Sequence, residues 1–332
     1  MPQRHTSDAA GGRTDLSLLA LDAGQTGIKV RRGWADGTTE DDLLPGVLTD
    51  RPLAPQLSAA ITRFADATGS SGYTAAIGLS GATDPHGEAA RLLSEHPAAA
   101  RVLVAHDSVS SYLGVLGDRP GAVVAAGTGV VTLGVGTERA ARVDGWGNIM
   151  GDAGSGYWIG REALDAVMRA YDGRGPKTAL TTVVTERWPD LESAYVSLQS
   201  DDERVRIVAS FAAPTAALAA QGDQVAADIC RRAADELALS VIAALRASGA
   251  PDDAVVSATG GVFGSAVVLD AFTASVRADR PDVRFVAPAG SGLDGVAALA
   301  ELPTDHALRE LIADADRANP DRTESSGERA SR

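Results

Sequence analysis

Residues 19–30 read LALDAGQTGIKV, an apolar run that turns through small residues into a second strand. Glycines in such a turn let backbone N–H groups converge on an anion, because no Cβ blocks the approach. Residues 123–135, VVAAGTGVVTLGV, repeat the arrangement. Each hairpin opens a similar series of strands and helices. The repeat predicts an α/β protein with two related domains that face each other across a cleft.

The distribution of apolar segments predicts where these domains begin and end. Polar, charged stretches at 1–14 and 314–332 predict disordered tails. An N-terminal domain is expected at 15–117, and a C-terminal domain with a helical insertion at 118–300. The end of a C-terminal helix is expected at 301–313.

Composition excludes several classes of function. The 332 residues carry a net charge of −14, which argues against nucleic acid as a partner because phosphate binding needs clustered Lys and Arg. A single cysteine, Cys230, rules out a disulfide framework or a cysteine-rich metal site. No apolar run reaches the roughly 18 residues of a membrane span, and no secretory signal is evident. The cytoplasm is the expected compartment, with no membrane partner.

The first hairpin is a candidate phosphate site. Its backbone, with the side chains of Thr26 and Lys29, is suited to an anion, and Gly24 and Gln25 lie at the turn. Asp22, at the end of the strand, could hold the water shell of a Mg²⁺ ion. The alternative is an ordinary β-turn whose Asp satisfies its own backbone.

Two further glycine turns are candidates for nucleotide contacts. Gly127, Thr128 and Gly129 form the second hairpin, and one such hairpin per domain would clamp a triphosphate from both sides. Gly260 and Gly261 join a strand to a helix, where a ring or ribose can lie against the backbone. A tight strand–helix connection is the competing interpretation.

Asp107 is the candidate general base. It follows the strand RVLVAH, and strand ends in α/β sheets point into the ligand cleft. A carboxylate there can accept the proton of a hydroxyl group that attacks a γ-phosphate. An N-cap role explains Asp at this position equally well.

The segment DGWGNIMGDAGSGYWIG, residues 144–160, is a candidate sugar site. Gly145, Trp146 and Gly147 combine exposed backbone with a flat apolar face, which suits the C–H face of a sugar. Asp152 can accept two hydroxyl hydrogen bonds. The alternative is a structural loop with Trp146 in the core.

Residues 145–160 closely resemble the loop GWG-x-x-x-GDEGS-x-YWI of N-acetylglucosamine kinases, within the BadF/BadG/BcrA/BcrD-type ATPases of the actin and hexokinase superfamily. The two hairpins resemble that superfamily's phosphate hairpins, and TGGVFGS at 259–265 resembles its adenosine motif. The resemblance spans about residues 16–300. It implies two actin-like (ribonuclease H-like) domains, ATP and Mg²⁺ as cofactors, a homodimer, and phosphorylation of the 6-hydroxyl of N-acetylglucosamine.

The resemblance also implies roles for individual residues. Asp107 matches the catalytic aspartate, Thr128 a nucleotide contact and Gly261 the adenosine turn. The matches to sugar contacts are Gly145, Trp146, Gly147 and Asp152.

Three positions depart from the family pattern. Gln25 replaces a glycine of the first hairpin, and Ala153 replaces the Glu of GDEGS. Asp50 is nearest to a sugar-binding Asn of the family. An Asp there would favour a free 2-amino group, so glucosamine is the alternative to N-acetylglucosamine.

Other functions on the same fold are less compatible with this chain. ATPase activators of acyl-CoA dehydratases need two cysteines per chain for their iron–sulfur cluster. Sugar-sensing regulators carry a DNA-binding module before the first hairpin, where this chain has a short polar stretch. An ATPase with a non-sugar acceptor stays open, because fold does not fix function.

Overall fold

The structure, a computed structural model, describes residues 15–24, 27–48, 51–81 and 84–319. The chain forms two compact units. Unit 1 contains Met1–Ser110, Val296–Glu301 and Glu310–Arg332, and unit 2 contains Ser111–Gly295 and Leu302–Arg309. Each unit is built on one β-sheet covered by helices, which confirms the predicted α/β fold with two domains.

The strands are β1 (Leu16–Ala23), β2 (Ile28–Trp34), β3 (Thr39–Leu44), β4 (Tyr73–Leu79), β5 (Ala99–His106), β6 (Gly121–Ala126), β7 (Val130–Val135), β8 (Ala140–Val143), β9 (Val255–Thr259), β10 (Arg284–Phe285) and β11 (Ile312–Asp316). The helices are α1 (Leu53–Phe64), α2 (Pro85–Glu95), α3 (Asp107–Leu116), α4 (Gly156–Tyr171), α5 (Leu180–Arg187), α6 (Leu191–Gln199), α7 (Arg204–Ala209), α8 (Ala212–Ala220), α9 (Gln224–Ser248), α10 (Ala266–Asp279) and α11 (Gly292–Ala298). None of the helices in the described ranges is long and apolar enough to cross a membrane.

The two sheets share the topology of five strands, and unit 1 adds β11 at the edge beside β5. In unit 1 the strand order is β11-β5-β4-β1-β2-β3, and in unit 2 it is β10-β9-β6-β7-β8. Both begin with an antiparallel meander, β1-β2-β3 or β6-β7-β8, whose first strand then pairs in parallel with a later strand. The internal repeat predicted from the two glycine hairpins is therefore present in the fold.

Burial follows from the position of each strand in its sheet. β4 lies between two parallel neighbours, and six of its seven residues are buried, as expected for a strand covered on both faces. β3 is an edge strand that alternates exposed and half-buried residues. The long helix α9 begins at Asp223, which accepts a hydrogen bond from Ala226 N–H, and ends at Gly249 in the left-handed conformation.

The C-terminal segment differs from the prediction. Residues 314–316 belong to β11, which pairs antiparallel with β5, and not to a tail; residues 307–311 form a 3₁₀ turn instead of a helix end. Arg101 and Asp314 explain the difference, because their side chains form a two-bonded ion pair across this pairing. The polar residues that suggested a tail therefore belong to a strand at the edge of the sheet.

Candidate functional site

Asp107 lies where three parallel strands of unit 1 end. Register pairs Ala23 with Leu79 and Leu79 with His106, so the carboxyl ends of β1, β4 and β5 are adjacent. β5 stops at His106 and Asp107 begins α3. The residue predicted as general base therefore stands at the sheet edge where ligands of α/β folds bind.

Ser80 and His106 hold the Asp107 carboxylate. Ser80 Oγ donates a 2.5 Å hydrogen bond to Oδ2. Oδ1 is buried, lies 2.7 Å from His106 Nδ1, and has no hydrogen bond of good geometry among the described residues. Oδ2 is thus anchored by Ser80, while Oδ1 faces the imidazole of His106 away from solvent.

The contacts of Asp107 favour its ionised form. Burial raises the pKa of this carboxyl, but His106, Ser80 and the N–H of Ser108 together outweigh that effect and lower it. A carboxylate that is ionised at neutral pH can accept a proton. His106 is the last residue of β5, so strand alternation no longer directs its side chain away from Asp107.

In the first hairpin, Asp22 and Lys29 are cross-strand partners. Lys29 Nζ lies 3.4 Å from Asp22 Oδ2, and the turn is closed by a 3.1 Å bond from Gly24 N–H to Gly27 O. The Asp22 side chain retains 19% exposure. No cluster of three or more metal-ligating side chains occurs in the described residues, but Mg²⁺ bound to ATP needs only one or two carboxylates. Asp22 fits that requirement.

Three predicted residues cannot be placed. Gln25 and Thr26 of the first hairpin, and Asp50, lie outside the described residues.

The second hairpin is tied to the start of α4. Gly127 O accepts a hydrogen bond from Gly156 N–H at 2.8 Å, and Thr128 O accepts one from Tyr157 N–H at 3.0 Å. Ser155 caps the helix and is fully buried. Thr128, a predicted nucleotide residue, is therefore held in place through its backbone by the helix that follows the Gly-Trp-Gly loop.

Asp152 joins the Gly-Trp-Gly loop to the same hairpin. Its Oδ1 accepts a 3.3 Å hydrogen bond from Val130 N–H, and a Cβ on Gly129 would lie 2.7 Å from Oδ2. Gly129 is needed here for close packing. Burial raises the pKa of Asp152, Val130 N–H lowers it and the nearby Asp144 carboxylate raises it, with a net increase.

Asp144 organises the loop, and the sequence analysis missed it. Its carboxylate accepts hydrogen bonds from the N–H groups of Gly145 at 2.7 Å, Asp152 at 2.8 Å and Ala153 at 3.0 Å. Asp144 and Asp152 both have positive φ, 58° and 59°, a region that Asp tolerates better than most residues. An Asp directly before a Gly-Trp-Gly turn was the available signal.

Trp146 is exposed, which rules out the core alternative. Its side chain is 60% accessible, and the Arg142 guanidinium lies 4.7 Å from the ring centroid. Arg142 Nη2 also donates to Gly145 O. Gly145 and Gly147 both have φ of 80°, so the turn that presents the indole depends on glycine.

Gly260 marks the closest backbone contact at the third turn. Its φ is 96°, and a Cβ would lie 2.3 Å from Ala126 O at the end of β6. Gly261 has open space at its Cβ position. The two glycines therefore have different roles. Gly260 permits the close packing of β9 on β6, and Gly261 leaves open space beside the turn.

A cavity of about 750 Å³ opens in unit 2 beside these turns. Gly127, Thr128 and Gly261 line it, whereas Gly129 and Gly260 do not. Helices α7, α8 and the start of α10 supply most of the remaining wall. Sequence reasoning missed these helical residues because no motif marks them; only the packing of the helices brings them to the turns.

Comparison with known proteins places these features in a family. The sequence profile of the BadF/BadG/BcrA/BcrD ATPase family matches residues 54–297. An N-acetylmuramic acid/N-acetylglucosamine kinase of Clostridium acetobutylicum is 29% identical over 218 residues, which cover 62% of this chain and 69% of that protein. An N-acetyl-D-glucosamine kinase of Dictyostelium discoideum is 45% identical over 75 residues, 22% of this chain and 24% of that protein.

The fold is shared with solved structures. One, provisionally described as an N-acetylglucosamine kinase from Chromobacterium violaceum, has a TM-score of 0.68 at 24% identity, and covers 86% of this chain and 99% of its own. A second, described in the same way, from Porphyromonas gingivalis, has a TM-score of 0.63 at 18% identity, with 84% and 96% covered. At these identities the likeness concerns the fold.

Proposed function

The chain belongs to the BadF/BadG/BcrA/BcrD ATPase family, and on that premise we propose that it is an ATP-dependent sugar kinase that phosphorylates the 6-hydroxyl of N-acetylglucosamine. The names of the two sequence relatives, both kinases of N-acetylglucosamine, support this acceptor. Glucosamine is the alternative acceptor, because Asp50 stands near the position where the family has a sugar-binding Asn.

One observation carries the proposal. The hairpin at 127–130 serves two sites in unit 2: Thr128 lines the cavity, and Val130 N–H binds Asp152 of the Gly-Trp-Gly loop. A protein that binds only a nucleotide does not need a loop suited to sugars that is hydrogen-bonded to its phosphate hairpin. This connection favours phosphoryl transfer to a sugar over simple ATP hydrolysis.

In the proposed mechanism, the nucleotide occupies the cavity beside Gly127, Thr128 and Gly261. The backbone N–H groups of each glycine hairpin are suited to phosphate oxygens, and Gly24 and Lys29 are the candidate phosphate residues of the first hairpin. Asp22 would hold Mg²⁺ through its water shell, and the ion would neutralise charge on the phosphates.

The sugar would be held by the loop that Asp144 organises. Trp146 offers its indole face to the C–H face of the sugar, and Asp152 and the backbone of Gly145 and Gly147 bind hydroxyls. Asp107 orients the attacking hydroxyl and accepts its proton, while Ser80 fixes the orientation of the carboxylate through Oδ2. Positioning and charge neutralisation supply most of the acceleration in such reactions.

A sugar panel tests the proposal. ADP release from MgATP is measured with N-acetylglucosamine, glucosamine, N-acetylmuramic acid, glucose and no sugar, and ³¹P NMR of the product locates the phosphate. We expect release that depends on N-acetylglucosamine and a 6-phosphate product. Preference for glucosamine would select the alternative, and equal release with and without every sugar would refute the kinase.

A further inference from the structure

The wall of the cavity in unit 2 is formed largely by one alanine-rich helix. Five alanines of α8 line it: Ala212, Ala213, Ala216, Ala217 and Ala220. The side chains of these alanines offer methyl groups and no hydrogen-bonding atoms to the cavity. Ile159, Val262 and Val267 add larger apolar surfaces.

The serine side chains at the cavity already have partners. Ser210 Oγ donates a 2.6 Å hydrogen bond to Ile207 O, one turn earlier. Ser265 caps α10, where its Oγ accepts from Val268 N–H at 3.5 Å. Both hydroxyls are thus oriented by their own helices, and what remains for a ligand is an acceptor position on Ser210 and one donor on Ser265.

Arg206 is the charged residue of the wall. Its Nε donates a 2.7 Å hydrogen bond to Glu203 Oε2, and its side chain is 73% exposed. A guanidinium at the rim can stack on the face of an aromatic ring, and stacking does not depend on which ring it is. Thr128, the remaining polar side chain, belongs to the phosphate hairpin, at the other end of a nucleotide.

Strong discrimination among purines requires a wall that forms hydrogen bonds with the edge of the base. Adenine, guanine and hypoxanthine share one outline and differ in the donors and acceptors on their edges. A site that hydrogen-bonds a substrate group rejects the analogue without it by about 10⁴–10⁵, whereas an apolar pocket separates similar shapes by only about 10–200-fold.

We propose that the cavity recognises the nucleobase by shape and stacking, so that ATP, GTP and ITP all serve as phosphoryl donors. Binding of the base depends on the cavity alone, while the transfer rests on the proposed function. Pyrimidine nucleotides fill less of the apolar wall and bind more weakly.

Binding and turnover are measured separately to test this. Calorimetry with ADP, GDP and IDP, without sugar, gives three dissociation constants. Steady-state kinetics with the three triphosphates then gives kcat/KM for each donor. We expect each set of values to agree within about a hundredfold. ADP binding that is stronger than GDP and IDP binding by more than this factor overturns the inference, as does failure of all three to bind.

A matched pair of variants locates the effect. Ala217→Leu enlarges an exposed residue of the cavity wall, and Ala247→Leu makes the same change on an exposed position of α9 that does not line the cavity. Ala217→Leu should weaken all three diphosphates by a similar factor, about tenfold, and Ala247→Leu should weaken none. An effect confined to ADP would indicate an edge-specific contact and overturn the inference. Comparable diphosphate binding without any sugar phosphorylation would reject the proposed function and leave this inference standing.

Discussion

The backbone N–H of Asp152 donates a 2.8 Å hydrogen bond to Oδ1 of Asp144, and both residues hold a left-handed backbone conformation. Two residues eight positions apart thereby close the loop that carries Trp146. Backbone strain of this kind persists where the surrounding structure enforces it, and it concentrates at functional sites.

Replacing Asp144 with Gly tests the contribution of its carboxylate while the backbone conformation is kept. Gly adopts a φ of 58° without strain, so Asp144→Gly preserves the turn and removes the acceptor for three N–H groups. Hydrogen bonds to a charged group contribute about 1.5–3 kcal/mol, so we expect the sugar KM to rise about tenfold or more while the ATP KM stays unchanged. Asp144→Asn keeps one acceptor oxygen, so its sugar KM should lie between those of the wild type and the Gly variant. A wild-type sugar KM in the Gly variant would contradict this role.

Removing the Ser80 hydroxyl should move the pH profile. In the proposed function Asp107 acts as a carboxylate, so activity would be lost as pH falls through its pKa, and Ser80 is one of the contacts that lower this pKa. Ser80→Ala therefore raises the pKa and shifts the acid limb of kcat to higher pH. Values of kcat measured from pH 4 to 8 would show this shift. An unmoved acid limb would mean that Ser80 does not affect the pKa that controls activity.

Asp107→Asn tests the base itself. The amide keeps the size of the side chain but cannot accept the proton, so kcat should fall by about 10²–10⁴ while the far-UV circular dichroism spectrum stays the same. Sugar and ATP binding, measured by calorimetry, should change little. Turnover near the wild-type rate would remove Asp107 from the mechanism.

Gly260 and Gly261 should respond differently to the same substitution. Gly260→Ala combines a φ of 96° with a Cβ placed 2.3 Å from Ala126 O, and we expect a loss of at least about 2 kcal/mol in the free energy of unfolding. Gly261→Ala meets no atom within 4 Å and should keep the stability. Urea unfolding of both variants measures this difference. Equal stability of the two variants would mean that the turn rearranges to accommodate the Cβ.

The pair Arg101–Asp314 should hold the C-terminal strand to unit 1. Both side chains are less than 20% exposed, at 19% and 16%, and the pair makes two hydrogen bonds. Asp314→Ala leaves a poorly solvated guanidinium and should cost about 2–3 kcal/mol of stability. A double-mutant cycle with Arg101→Ala isolates the coupling between the two side chains. A coupling free energy near zero would mean that contacts other than this ion pair hold β11 to unit 1.

Much of the fold was legible in the sequence. The hairpins at 19–30 and 123–135 predicted two related α/β domains, because a glycine turn between apolar strands is a local signal. The two sheets do share the topology of five strands. β11 was missed for the opposite reason. Asp314 and Asp316 look like tail residues until Arg101 and the edge of β5 are placed beside them.

The chain itself therefore determined the elements that repeat and the residue types suited to phosphates and sugars. Glycine spacing, strand alternation and the position of Asp107 after a strand all act within a few residues, where backbone sterics decide the outcome. Only the tertiary structure decided which groups orient these residues. Ser80 reaches Asp107 from a neighbouring strand, Val130 binds Asp152 from a distant hairpin, and α8 builds a cavity wall without a motif. Such contacts depend on packing between elements far apart in sequence, and no local pattern records them.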